Sequence, residues 1–152
     1  MHEDYKALID DRNEDLWREM NAHFHITLKE CPEKSYITSY TSSGIIIYID
    51  KSNIGPAPFT HELLHLYIKY KDTHILRDLS KMTETDNHLL HLFSQSVVNH
   101  ISNCLEHFKM LPMYLGRNFD NEHFTQDFQT QLMDGQTTDK LMATYIKNGI
   151  YD

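Results

Sequence analysis

This chain is poor in several residue types at once, and each shortage removes a class of explanation. It has two cysteines, Cys31 and Cys104, in 152 residues, and nothing in their spacing suggests a zinc knuckle or a disulfide framework. Reduced thiols in a cytoplasmic protein are the expectation. Five glycines and four prolines are too few for a low-complexity or linker-like chain. Basic residues are outnumbered, 14 Lys and Arg against 22 Asp and Glu, which gives a formal charge of -8 and a pI near 5.7. A phosphate backbone or an anionic membrane surface is therefore not an expected partner. No apolar run approaches membrane-spanning length, and the opening MHEDYKALIDDRNED lacks the cationic and apolar regions of a secretory signal.

What remains is 40% apolar and 24% charged residues, the profile of a folded chain. Its length suits a single domain spanning 1–152 with one core. Eleven histidines against one tryptophan is the unusual part of the composition.

Apolar residues at Tyr5, Leu8, Ile9, Leu16, Trp17, Met20 and Phe24 predict a packing helix from about Tyr5 to Phe24, with His23 and His25 in solvent at its end. Lys29 to Lys34, with Pro32, reads as a connection. Ser35–Tyr40 and Ile45–Asp50, separated by Thr41–Gly44, predict a β-hairpin. The second strand is apolar at nearly every position and suits an inner place covered on both faces, whereas the more polar first strand suits an edge.

After the break at Lys51–Pro58, a buried helix is predicted from about Pro58 to Lys71, with Pro58 in its first turn. Asp72–Thr85 reads as a loop. A long helix capped by Thr85 or Asp86 then runs to about Met110 and is stopped by Pro112. On a helical wheel, Leu90, Phe93, Val97, Ile101, Cys104, Leu105, Phe108 and Leu111 share one face. Ser96, His100, Asn103 and His107 flank it, and Glu106 points nearly opposite. Tyr114–Asn121 reads as a loop, and shorter helices are predicted at about Asn121–Met133 and Thr138–Asn148. The class expected from these elements is α+β, mostly helical, with a small antiparallel hairpin packed on the Pro58–Lys71 helix.

That helix carries His61-Glu62-Leu63-Leu64-His65, or HELLH. Histidines four apart on a helix project from one face and can hold one metal ion. Glu62 beside them is placed to act as a general base on water at that metal, as in zinc hydrolases. Zn²⁺ is thus the expected cofactor. A catalytic zinc requires a third protein ligand, and the wheel favours His107 or His100. Glu106 is weaker by geometry, and Glu84, Asp86 and His88 are more remote candidates. Asn103, one turn from His100 and His107, could hold a ligand through its amide.

FTHELLH on a buried helix after an apolar strand, followed by a helix ending in Met110-Leu111-Pro112, resembles the small zincins of the ImmA/IrrE type, over about Ile45 to Pro112. In that family FTxAHELGH follows a strand and a later helix ends in a stretch such as ANxFAAxLLMP. Leu64 stands where the family has glycine. The family's third-ligand glutamate falls near Asn99 and His100, a register that speaks for His100. The string Asn103-Cys104-Leu105-Glu106-His107 is similar to NxxxH-type helices of phage and bacterial HExxH proteins and speaks for His107.

The resemblance implies a zincin-like fold and a zinc metallopeptidase acting on a protein or peptide such as a regulator. Glu62 would be the base and His61, His65 and His107 the ligands, with His100 and Glu106 as alternates. The strand Gly44 to Asp50, or its hairpin partner, is the expected peptide-binding edge. Tyr114, His123 or Tyr145 could stabilise an oxyanion. Two other readings stand beside this one: an inactive zincin-fold binding or regulatory module, and a metal-dependent hydrolase of a non-peptide substrate. A carboxylate at position 62 favours chemistry over a scaffold.

Overall fold

The structure, a computed structural model, describes residues 3–71, 81 and 95–124. Its architecture mixes helices with one three-stranded sheet, compatible with the α+β class. The expected N-terminal helix is divided: a 3₁₀ segment covers Glu3–Leu8, and helix α1 begins only at Glu14 and ends at His23. Asn13 causes the division. Its side chain accepts from the Asp10 amide (2.9 Å) and donates to the Leu8 carbonyl (2.9 Å) and to Thr60 Oγ1 (2.9 Å), all from a fully buried position. A side chain that satisfies the turn backbone in this way competes with helix continuation. His23 and His25 lie exposed, as expected.

A strand that composition did not suggest follows. Strand β1, Ile26–Glu30, occupies part of the expected connection and pairs parallel with strand β3, Gly44–Ile49. Strand β2, Ile37–Thr41, pairs antiparallel with β3, so the sheet order is β1-β3-β2. The hairpin is present, but the sheet is mixed and not purely antiparallel. Only five residues long and ending in Lys29 and Glu30, β1 carries too little alternation to be read without its partner.

Strand β3 is central, and Ile45, Ile47 and Ile49 face the core while Ile46 and Tyr48 are half-buried on the other face. Gly44 opens it with φ +144°, and a Cβ there would sit 2.4 Å from the His25 carbonyl oxygen, which accepts from the Ile45 amide. Only glycine fits that close approach.

Helix α2, Pro56–Lys71, starts two residues earlier than expected. Pro56 and Pro58 both lie in its first turn, where a missing N–H costs nothing. It is the centre of the molecule: Phe59, Thr60, His61, Glu62, Leu63, Leu64, Leu66 and Ile68 are all buried. The helix packs against α1, against helix α3 at Gln95–Leu115, and against the short helix α4 at Asn121–Phe124. Its apolar residues share one core cluster with Ile45, Ile47 and Ile49.

Pro112 does not end α3, which continues to Leu115 and closes with the Gly116 amide bonded to the Pro112 carbonyl (3.0 Å). The missing donor at Pro112 is tolerated because position 112 is exposed and water can satisfy the freed carbonyl one turn earlier. Among the described residues no helix is long and apolar enough to cross a membrane. The predictions for Asp72–Thr85, for the start of the long helix, for the remainder of Asn121–Met133 and for Thr138–Asn148 lie outside the described residues.

Candidate metal centre

Helix α3 settles against α2 on a different face from the apolar one. Val98, Ser102, Glu106, His107, Met110 and Tyr114 are buried, whereas Val97, Leu105 and Phe108 are 40%, 38% and 79% exposed. The buried stripe lies about half a turn round the helix from the expected one. This rotation carries Glu106, expected to point away, into the interior.

His61 and His65 project from α2 and His107 from α3, and their ligand atoms lie within 4.8 Å of one another. His61 and His107 are buried and His65 is half-buried. The Nε2 of His65 is 3.1 Å from that of His61 and 3.2 Å from that of His107. Tetrahedral zinc with Zn–N bonds near 2.0–2.1 Å requires nitrogens about 3.3 Å apart, so these two spacings fit such an ion.

Glu106 makes the case chemical as well as geometric. Its Oε2 lies 2.8 Å from His65 Nδ1, and its Oε1 accepts from Ser102 Oγ at 3.4 Å. A carboxylate accepts, so Nδ1 carries the proton, and the tautomer this selects is the one whose Nε2 is the ring's lone-pair nitrogen. Burial works to raise the Glu106 pKa, but the hydrogen bond from His65 and the field of Lys69, 3.9 Å away, outweigh it and the pKa falls. The ionised carboxylate is the form that orients a ligand histidine.

Burial, followed by repulsion from His65 and His107, pushes His61 down to about 3. Burial, then His65, pushes His107 down to about 4 against the opposing pull of Glu106. Both rings are therefore neutral near pH 7, and neutral imidazoles are what a metal takes. Three converging imidazoles have the chemistry to hold a metal ion.

Aromatic residues close one side. Phe124 of α4 sits 4.9 Å from the His61 ring and 5.5 Å from that of His107, centroid to centroid, and Tyr114 backs Phe124 at 5.1 Å. The turn between α3 and α4 is tied to the start of α1 by Arg117, whose guanidinium makes two bonds to the Asp15 carboxylate (2.6 and 3.0 Å) and one to the Arg12 carbonyl (2.8 Å). On the other side a cavity of about 800 Å³ opens, lined by His61, Glu62, His65, His107 and residues of β2 and α3.

Glu62 is buried beside the cluster and accepts a 2.6 Å hydrogen bond from Thr38 Oγ1 of β2. His100 and Asn103 line the cavity wall but are exposed, and the nearest partner of His100 Nε2 is Cys104 Sγ at 3.8 Å. His100 is thus not brought into the cluster. The residue of α3 that hydrogen-bonds a cluster histidine is Glu106 and not Asn103, because the rotation of α3 buries position 106 and leaves 103 exposed. Glu106 itself touches Nδ1 of a cluster histidine and lies outside the group of converging nitrogens.

Tyr114 is fully buried, stacked on Phe119, and does not line the cavity. His123 is exposed and does line it; Glu84, Asp86, His88 and Tyr145 lie outside the described residues. The strand Gly44 to Asp50 has both edges occupied by β1 and β2, so it offers no free edge to a peptide.

Sequence reasoning missed Thr38, Lys69 and Phe124. For Glu106 a signal existed: Val98, Ser102, Glu106, Met110 and Tyr114 recur every fourth residue, a column that also ends in a large apolar group. In comparisons with known proteins, no family model, no curated protein and no solved structure matches this chain.

Proposed function

We propose that the protein is a zinc-dependent metallopeptidase of zincin type, an HExxH hydrolase. The observation that carries this reading is the convergence of His61, His65 and His107 with Glu62 beside them at the floor of a cavity. A structural zinc site takes four protein ligands, and a hydrolytic one takes three and leaves a position open. Among the described residues three histidines converge, next to open space. When bound, zinc would make water at that position acidic near neutral pH and polarise a carbonyl.

The rest of the chemistry belongs to the chain. His61, His65 and His107 would hold the ion through Nε2, and Glu106 would keep His65 in the required tautomer. Glu62 would take the proton from the attacking water and return it to the leaving amine. Phe124 excludes water from the ligand side, which strengthens every charge interaction there. An extended peptide would pair with β2, the edge strand next to the cavity, in place of β3. Ile37, Thr38 and Tyr36 of that region line the cavity. The resemblance of FTHELLH and MLP to the ImmA/IrrE pattern supports a peptide over a small-molecule substrate.

The test is metal analysis of purified protein with a peptide-library cleavage assay. Wild-type protein should hold one zinc per chain and cleave, and Glu62→Gln should keep the zinc and lose cleavage. Zinc retained at full stoichiometry by His61→Ala would overturn the reading.

A further inference from the structure

The hydrogen bond between Thr38 and Glu62 joins the edge strand of the sheet to the helix that carries the histidine motif. Thr38 stands in the middle of edge strand β2, and Glu62 stands on α2, 24 residues later. At 2.6 Å, with a carboxylate as acceptor, it belongs to the short, charge-assisted class. Two residues along β2, Tyr40 receives the Lys69 ammonium at 4.7 Å from its ring centre. Glu62 and Lys69 are seven apart and therefore on one face of α2, as Thr38 and Tyr40 are on one face of β2. The strand thus grips the helix at two points, one of them the carboxylate next to the histidine cluster.

From this geometry we infer that Thr38 is a positioning residue for Glu62, a role that rests on the metallopeptidase reading. The carboxylate of a glutamate turns about a soft terminal torsion. Bonding Oε2 to the strand fixes that torsion, and so fixes where the carboxylate meets a molecule lying over the histidines. Valine has the shape of threonine without the hydroxyl, so Thr38→Val removes the bond and little else. Serine restores the hydroxyl. The same bond ties the base to the strand along which an extended ligand would lie, so a ligand that shifts β2 also shifts Glu62.

The experiment uses zinc-loaded full-length protein and two small probes. Acetohydroxamic acid engages a zinc ion together with an adjacent carboxylate, whereas 2-mercaptoethanol, as its thiolate, engages the ion alone. Thr38→Val should keep one zinc per chain and bind acetohydroxamate about tenfold more weakly, the scale of one hydrogen bond to a charged group. Its affinity for the thiol should stay at the wild-type value, and Thr38→Ser should recover hydroxamate binding. Thr38→Ala is carried in parallel, so a fold lost to the valine methyl leaves the comparison intact.

Unchanged hydroxamate affinity in the valine and alanine variants would overturn the inference, as would a parallel loss of thiol affinity or a serine variant as weak as valine. Glu62→Gln separates the two levels. If it weakens hydroxamate binding while Thr38→Val does not, only the positioning role is wrong. If it binds hydroxamate as the wild type does, the role of Glu62 as base fails, and that of Thr38 with it.

Discussion

Helices α2 and α3 build the candidate site together, but they are embedded in opposite ways. Helix α2 is enclosed on nearly all sides, and its motif sits among Phe59, Leu63, Leu64 and Leu66, each no more than 1% exposed. Helix α3 turns Ser102, Glu106 and His107 inward and leaves Val97, Leu105, Phe108 and Leu115 at 38–79% exposure. A helix that is apolar all round has no wrong face to choose. A helix with a polar site on one side and an apolar stripe on the other cannot be oriented by hydrophobicity, because hydrogen bonds and metal ligands can hold the polar face in the interior.

Substitutions that break the comparison can be ranked by size. The largest effect should be on metal binding: His61→Ala on α2 and His107→Ala on α3 should each weaken zinc binding by about a thousandfold, a per-ligand share of structural zinc affinities. His100→Ala should leave it unchanged. Isothermal titration with zinc reads all three, and loss in the His100 variant would reverse the orientation given to α3.

Next comes the packing contrast. Leu64→Ala on α2 should lower unfolding stability by about 2–5 kcal/mol, whereas Phe108→Ala on α3, 79% exposed, should change it by less than about 0.5 kcal/mol. Urea midpoints of the two variants test this, and comparable losses would mean that the outer face of α3 is packed.

A pH prediction follows from the two neutral histidines. Their folded pKa values, about 3 for His61 and about 4 for His107, lie below the ordinary 6.5. Between those limits the unfolded chain binds more protons, so the stability of metal-free protein is full above pH 6.5 and is lost as pH falls toward 3–4. Thermal unfolding across that range should show the decline, and His61→Leu should flatten it.

Among the variants of the histidine cluster and its partners, the smallest loss of zinc affinity is expected at Glu106. Glu106→Gln should reduce zinc affinity about 10- to 100-fold while the fold persists, because an amide holds His65 less firmly than a carboxylate does. An affinity equal to wild type would remove Glu106 from the site.

The comparison also explains what could be read in advance. HELLH, the hairpin and the central place of β3 were legible because each depends on a local pattern: i,i+4 spacing, β-branched and aromatic runs, and the short Ser/Gly segment Thr41–Gly44 between them. Strand β1 was not legible, since its identity as a strand comes from β3 beside it. The break at Asn13 was hidden for the same reason: an asparagine becomes a helix boundary here through Thr60, 47 residues away. Thr38 gave no signal at all, because only the fold brings it to Glu62. Glu106 was misplaced by following leucine and phenylalanine round the α3 wheel when the column of Met110 and Tyr114 marked the true interior.

Asn13 has a kinetic meaning as well. Its bonds join the end of the N-terminal 3₁₀ segment and the start of α1 to Thr60 of α2, the residue next to His61. The ends of a long loop must meet before those bonds form, and until then the first turn of α2 lacks its polar anchor. The N-terminal segment and the helix that carries His61 and His65 therefore share a buried polar junction at Asn13. An ion that binds the folded site and not the unfolded chain would stabilise this junction together with the histidines.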